Sequence, residues 1–362
     1  MGYGEFPYSR VRETAYRLRY IHIRVGVPDS LRRLPSSAPQ TMSMVRRARC
    51  DTPAMRKRAI IVGSGINGLT AAATLSVSGW DVTVYEAMPQ IGGAARTVDL
   101  GTPGFLHDVG ASILPMAPLS PAFKNLGITS AIEFITPSVS VAHPRDDGPA
   151  VGLSPDLGLV GPPDQTWNRW LARSTTDIGR TTRTLLSFPI PRLRDGLSAG
   201  IFGLQSLRRA SAVARGFDTE EAGMLFAGLA AHAVAPLNHR AVTGVGLSLA
   251  AIAQTTGWPV IRGGTQKIVD RLADTIRANG GTIVVDTPVS TLDNVEPTDA
   301  VLLGTSAPAA AHIGGQRISR RLRHRLSGTA PGPGVYKVDW ALKGHIPWTD
   351  PLCRDAATVH LG

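Results

Sequence analysis

The feature that most constrains this chain is a glycine-rich hexad set between a short apolar run and a helical one. Ala59 to Val62 are four apolar residues in succession, Gly63-Ser64-Gly65-Ile66-Asn67-Gly68 follows, and Leu69 to Val77 then place Leu and Ala at helical spacing. A second apolar run, Val82 to Tyr85, ends at Glu86, 18 residues after Gly68. Strand, tight turn, helix and strand in that order predict a βαβ unit with parallel strands and a sheet covered on both faces. Each glycine has its own reason. Gly63 permits the sharp turn out of the strand, Gly65 lets backbone approach a pyrophosphate, and Gly68 allows the helix to pack closely on the sheet. Ser64, Ile66 and Asn67 complete the turn, so that the free N–H groups and positive dipole end of the helix face the phosphates. Glu86 stands where a carboxylate accepts both hydroxyls of an adenosine ribose and repels a 2′-phosphate, which selects FAD or NAD over NADP.

The next segment, Pro89-Gln90-Ile91-Gly92-Gly93-Ala94-Ala95-Arg96-Thr97, separates those two cofactors. With it the sequence resembles the phytoene desaturase-like flavoproteins of the flavin amine oxidase superfamily, which follow their ribose-binding Glu with a Gly-Gly turn and a Ser or Thr. The resemblance implies FAD, with the backbone at Gly92 and Gly93, together with Arg96 and Thr97, supporting the flavin diphosphate. Gln90 and Ala94 depart from the Arg that many relatives carry there. It also implies that Gly104 to Ser112 run beside the isoalloxazine, with Gly110, Ala111 and Ser112 leaving room for the ring. Gly257 to Gln266 look like the return from the substrate domain to the flavin domain, and the main chain at Val289 matches the position that meets the adenine. Lys337, within Val335-Tyr336-Lys337-Val338-Asp339-Trp340, falls where flavin amine oxidases hold a water against flavin N5, and is the one catalytic candidate. Plainer alternatives stand beside these roles: edge packing for Val289 and an exposed structural Lys for Lys337. His107 reads either as a base or, more plainly, as a satisfied structural His, and His232 as core or pocket lining.

The fold class that follows is α/β, a Rossmann-like FAD-binding domain with an inserted α+β substrate domain. Residues 55–115 and 255–315 form the first, and residues 116–254 and 316–362 the second. The insert is rich in helix formers broken at Pro118, Pro121, Pro189 and Pro191. Beyond it the pattern predicts an amphipathic helix from Ile268 to Asn279 and strands at Thr282 to Asp286 and Ala300 to Leu303. A basic helix from Arg317 to Arg325 and a strand from Val335 to Leu342 are expected next. The resemblance implies more: relatives continue past Thr-Val-His-Leu-Gly with further strands and a second glycine-rich FAD segment, so the C-terminal part is expected to be missing. Function is accordingly expected to be FAD-dependent dehydrogenation, with hydride passing from an apolar or amine-like organic substrate to flavin N5 and then to an unidentified electron acceptor. The competing expectation is a dinucleotide-binding or interaction protein without turnover.

Charge and composition exclude other classes. The formal net charge of +11 invites a nucleic-acid reading, yet residues 1 to 58 alone hold 13 Arg and Lys against 4 Asp and Glu. A basic arm on a nearly neutral body, with no aromatic-basic platform, gives no reason to expect nucleic acid. Residues 1–54 read as that arm, with a short strand or amphipathic stretch from Tyr16 to Val27. An Arg-rich organellar transit peptide is the lesser reading of it, and a true start at Met55 the preferred one. Two cysteines, Cys50 and Cys353, build neither a disulfide framework nor a zinc site. A reducing, cytoplasmic compartment is expected. No apolar run of spanning length occurs, though Arg192 to Arg215 could lie at a membrane surface or be an ordinary charged helix face. HExxH, paired CxxC, GxSxG and GK[ST] signatures are absent, and no metal is expected.

Overall fold

A short run of consecutive apolar residues is buried whole in a strand covered on both faces, and the structure places Arg58–Val62 in that setting as β1. The structure is a computed structural model. It describes residues 56–186, 196–330, 332 and 334–361. Ile66–Val77 forms α1 and Asp81–Tyr85 forms β2, and β1 pairs with β2 in parallel from Arg58 with Asp81 to Val62 with Tyr85. Thr97–Val98 (β3) and His107–Asp108 (β4) make a short antiparallel ladder. Pro121–Asn125 (α2), Ile128–Ala131 (α3) and Phe134–Ile135 (β5) lead to the antiparallel strands Val139–His143 (β6), Val151–Ser154 (β7) and Gly158–Val160 (β8). The described helices Gln165–Thr176 (α4), Ile178–Leu186 (α5), Gly196–Ser206 (α6), Ala210–Ala214 (α7), Glu220–Ala231 (α8) and Val242–Ala253 (α9) follow. The chain returns through Val260–Ile261 (β9), which pairs with β5, then Gln266–Ala278 (α10), Thr282–Val284 (β10) and Ala300–Leu303 (β11). Ala307–Gly314 (α11), Arg320–Ser327 (α12), Pro351–Arg354 (α13) and Ala356–Val359 (β12) come last.

The first sheet runs β10-β2-β1-β11, all parallel. Alternation along β1 divides its apolar run between two cores. Ala59 and Ile61 pack with Leu69, Ala72 and Ala73 of α1 and with Ile268, Leu272 and Ile276 of α10. Ile60 and Val62 pack on the other face with Leu292 and Ile313. The second sheet runs β12-β6-β7-β8, with β12 parallel to β6. Against it lies α9, apolar on nearly every side and therefore central. Asp164 ties the surrounding helices together: buried, it caps α4 by accepting from Trp167 N at 2.7 Å and also accepts from Thr219 N, the cap of α8, at 2.9 Å.

Four expectations are corrected. The strand predicted for Thr282 to Asp286 ends at Val284, because Asp286 takes a left-handed backbone with φ +50° and its N–H turns to Met88 O. The basic helix begins at Arg320 rather than Arg317, since Ser319 caps it by accepting from Leu322 N. Residues Val335 to Leu342 do not form a strand. Nothing pairs with their backbone among the described residues, and Val335, Tyr336 and Trp340 stay 82%, 92% and 77% exposed. A strand is a property of a ladder, so an alternating sequence without a neighbour remains coil. Of the stretch Arg192 to Arg215, residues before 196 lie outside the described residues, as does the whole arm with Tyr16 to Val27. The remainder is not one amphipathic helix but α6 and α7, broken at Leu207 to Arg209. Among the described residues no helix is long and apolar enough to cross a membrane.

Candidate functional site

The turn after β1 forms because Gly63 takes φ +97°, donates its N–H to Tyr85 O at 2.8 Å and lies against Gly304, whose carbonyl a Cβ would meet at 2.8 Å. Gly68 lies in the first helical turn directly over the Gly63 carbonyl, where a Cβ would overlap that oxygen. Gly65 differs from both. It caps α1 without any side-chain hydrogen bond, and a Cβ built on it meets nothing within 4 Å. That open space at the N-terminus of a 12-residue helix is the cradle a diphosphate fits. Ile66 and Asn67 form the first residues of the helix, with Asn67 exposed at its rim.

The second glycine turn, distant by sequence, lies alongside the first. Gly92 donates its N–H to Ser64 O at 3.0 Å, Gly65 and Gly92 form a parallel bridge, and a Cβ on Gly93 would stand 3.2 Å from Gly65 Cα. Gly92 and Gly93 have φ of +119° and +57°, which only glycine adopts without strain. Arg96 folds back over this turn, Nε donating to Gly93 O at 2.9 Å. Ser64, fully buried, links the turn to the carboxylate: its N–H and hydroxyl donate to Glu86 Oε2 at 2.8 and 2.5 Å, while Met88 N donates to Oε1 at 3.0 Å. Burial pushes the Glu86 carboxyl up, but the donors from Ser64, Met88 and Ala87 outweigh it and hold the group below the usual carboxylate value. With two lone-pair directions per oxygen, Ser64 N and Oγ fill Oε2 and Met88 N takes one direction of Oε1, so an ionised Glu86 keeps at most one direction, on Oε1, for a ribose hydroxyl.

Val289 lies half-buried in coil after β10, packed on the face of β1 that carries Ile60 and Val62. Glu86 N bonds Val284 O and Thr287 N bonds Glu86 O, so this segment shares the Glu86 end of the sheet. Gly110 allows the chain past Ala94, whose carbonyl a Cβ would meet at 2.5 Å; Ala111 is exposed and Ser112 half-buried beside it.

One cluster was missed by sequence reasoning. Asp108 Oδ1 accepts from Thr97 Oγ1 at 2.6 Å, from Thr265 N at 2.9 Å and from Thr265 Oγ1 at 2.9 Å, and Thr97 Oγ1 in turn accepts from Gln266 N at 3.0 Å. Burial raises the Asp108 carboxyl, and hydrogen bonds from Thr97, Thr265 and Ser112 more than reverse it. Its members come from three separate stretches, and no local pattern announces them.

Lys337 belongs to the coil segment that was expected to be a strand. Its ammonium pairs with the Asp339 carboxylate, whose Oδ1 lies 3.6 Å from His107 Nδ1 on β4. The pairing with Lys337 holds the Asp339 carboxyl below its usual value. The structure thus brings Lys337 next to the strand that carries Asp108, through one shared carboxylate. His232, in contrast, sits at the far end of α8 against Trp258 and His360.

The model of the flavin containing amine oxidoreductases matches residues 66–311. A limonene dehydrogenase polypeptide of Castellaniella defragrans is 34% identical over 99 residues, which are 27% of this chain and 18% of that protein. The 4,4'-diaponeurosporene oxygenase of Staphylococcus haemolyticus is 41% identical over 71 residues, 20% of this chain and 13% of its own. A crystal structure of an oxidoreductase from Methanosarcina mazei shares the fold with a TM-score of 0.51 at 18% identity, covering 76% of this chain and 66% of that one. The matched stretches are therefore less than a fifth of either curated relative's length.

Proposed function

The chain belongs to the flavin containing amine oxidoreductase family, and from that premise we propose that it holds FAD across its two glycine turns and serves FAD-dependent dehydrogenation of an apolar or amine-bearing small molecule. The observation that carries this is Gly65: open space beside a capless helix N-terminus, bordered by Gly92, Gly93 and an ionised Glu86. The backbone N–H groups of α1 would bind the diphosphate, Glu86 the adenosine ribose, and Arg96 the flank of the second turn.

Removing hydrogen from a substrate takes away a hydride and a proton, and FAD when bound supplies the acceptor of the hydride before passing electrons to an external acceptor. The proton is the task of this chain's own residues. Lys337, aimed by its pairing with Asp339, is the candidate for orienting water or moving a proton at Nζ, with His107 on the other side of the same carboxylate. The relatives named for limonene and 4,4'-diaponeurosporene support the apolar class of substrate, and the amine oxidoreductase family model supports the amine class.

The test is the visible spectrum of the full chain before and after adding FAD. Uptake of about one flavin per chain is expected, lost in Gly65→Val and weakened about tenfold or more in Glu86→Gln, the cost of one charge-assisted hydrogen bond. Anaerobic bleaching by a terpene hydrocarbon and not by a polyamine would support the apolar class. A folded chain that takes up no flavin refutes the proposal.

A further inference from the structure

Away from the glycine turns, a cavity of about 460 Å³ opens between α4, the link from α6 to α7, α7 itself and the loop ahead of α9, lined by Trp170, Leu207, Arg208, Arg209, Val213 and Arg240 among others. Three guanidiniums border it. Among the described residues, none of the three forms an ion pair with a carboxylate. Arg208 instead lies over the Trp170 indole, its Cζ 5.3 Å from the ring centroid. A guanidinium held that way engages the π face and leaves its N–H donors for another partner.

Hydrogen bonds fix the main chain at Arg208 and Arg209 and on either side of the exposed Arg240. Thr243 Oγ1 donates to Arg208 O at 2.7 Å, Ala212 N and Val213 N bond Arg209 O at 3.0 and 3.1 Å, and Ala241 N bonds Ser206 O at 2.9 Å. Ser211 N also bonds Leu237 O at 3.1 Å, tying the loop that carries Arg240 to the break between α6 and α7. Ala241, next to Arg240, takes φ +72°, a left-handed conformation costly for a residue with a Cβ. The strained turn and the helix break therefore converge on one cavity with three cations on its rim and an apolar wall of Trp170, Leu207 and Val213.

We propose that this cavity is a binding site for an organic phosphate: a polyanionic head taken by Arg208, Arg209 and Arg240, with an apolar body against Trp170 and Val213. Bidentate N–H forks match phosphate oxygens, and a head of two or more charges answers three guanidiniums. The site shares no lining residue with the glycine turns, so it stands or falls independently of the cofactor reading.

The experiment follows tryptophan fluorescence and calorimetry of the full chain with three probes: inorganic pyrophosphate, a short-chain alkyl phosphate, and phosphatidylcholine vesicles with and without phosphatidic acid. Saturable binding of alkyl phosphate, tighter than pyrophosphate, weakened about tenfold by Arg240→Gln and by Arg209→Gln and reduced by salt, is the expected result for a soluble ligand. Binding only to phosphatidic acid vesicles, lost in the same variants, identifies the head as a lipid's. Loss of the fluorescence response in Trp170→Phe with binding retained by calorimetry places the ligand at this wall. No saturable binding to any probe, or binding indifferent to both arginine substitutions in variants whose unfolding midpoint is unchanged, overturns the proposal.

Discussion

His360 offers a quantitative test of how the end of β12 packs on α8. Its half-buried ring has Nε2 2.9 Å from His232 Nε2, and its centroid is 5.0 Å from His232, 5.5 Å from His143 and 6.3 Å from Trp258. Such a pair needs one N–H donor and one lone pair, and a second proton abolishes it. Burial first, then the neighbouring His232 and His143, push His360 down to about 4. The unfolded chain, with an ordinary histidine near 6.5, therefore takes up its proton before the folded one does. The stability held in the neutral ring is complete above about pH 6.5 and is lost as pH falls toward about 4. Linkage between those two values gives a loss of about 2 kcal/mol by about pH 5 and about 3 kcal/mol by about pH 4. The perturbation is His360→Gln in the full chain, and the assay is urea unfolding of both proteins at about pH 7.5 and about pH 5. Glutamine does not titrate and the carboxylates cancel in the difference. The stability of the wild type relative to the variant should fall by about 2 kcal/mol between the two conditions. A difference that stays constant within about 0.5 kcal/mol would refute the buried neutral imidazole and the packing derived from it.

Two further predictions bear on the glycine turns. Gly68→Ala puts a methyl onto the Gly63 carbonyl, so unfolding free energy should fall by about 1–3 kcal/mol in urea titrations, with FAD uptake lost in parallel. Asp108→Asn removes the charged acceptor shared by Thr97 and Thr265 and should cost about 1.5–3 kcal/mol at neutral pH. Because the folded Asp108 carboxyl is held below its unfolded value, that advantage is present above the ordinary carboxylate range and disappears as pH falls through the folded value. Denaturation midpoints of wild type and variant should accordingly converge in acid.

What the sequence made legible was local. The βαβ unit reads directly from Ala59 to Glu86 because turn, helix and strand are set by adjacent residues, and β1, α1 and β2 lie within a residue or three of the expected bounds. The strand at Ala300 to Leu303 was legible for the same reason, as a buried run closing on Gly304. Pairing is another matter. The alternation of Val335 to Leu342 announces a strand, but a ladder requires a partner that only tertiary structure supplies. The helix break at Leu207 to Arg209 escaped because no proline or glycine marks it; Ala241 N and Thr243 Oγ1, from another helix start, take up carbonyls that an unbroken helix would have used. Likewise His143, His232 and His360 are far apart in sequence and meet only through β6, α8 and β12.

The Asp108 cluster carries the same reasoning into the site. Gly264 takes φ +87°, and a Cβ there would overlap the Thr97 side chain, so the return segment can lie against β3 only as glycine. Thr265 then reaches both Asp108 and Ala95 O, the latter at 3.0 Å, and thereby clasps the turn that carries Gly92 and Gly93. Val269 of α10 lies behind Gly92, where an added Cβ would meet it at 3.0 Å. The second glycine turn is thus shaped from behind by residues more than 150 positions later, as Asp108 and Thr265 are 157 apart. The return segment and the stretch after the turn therefore satisfy each other's polar groups, Thr265 Oγ1 donating to Ala95 O and Gln266 N to Thr97 Oγ1, while Ser64 takes up the Gly92 N–H from the other side.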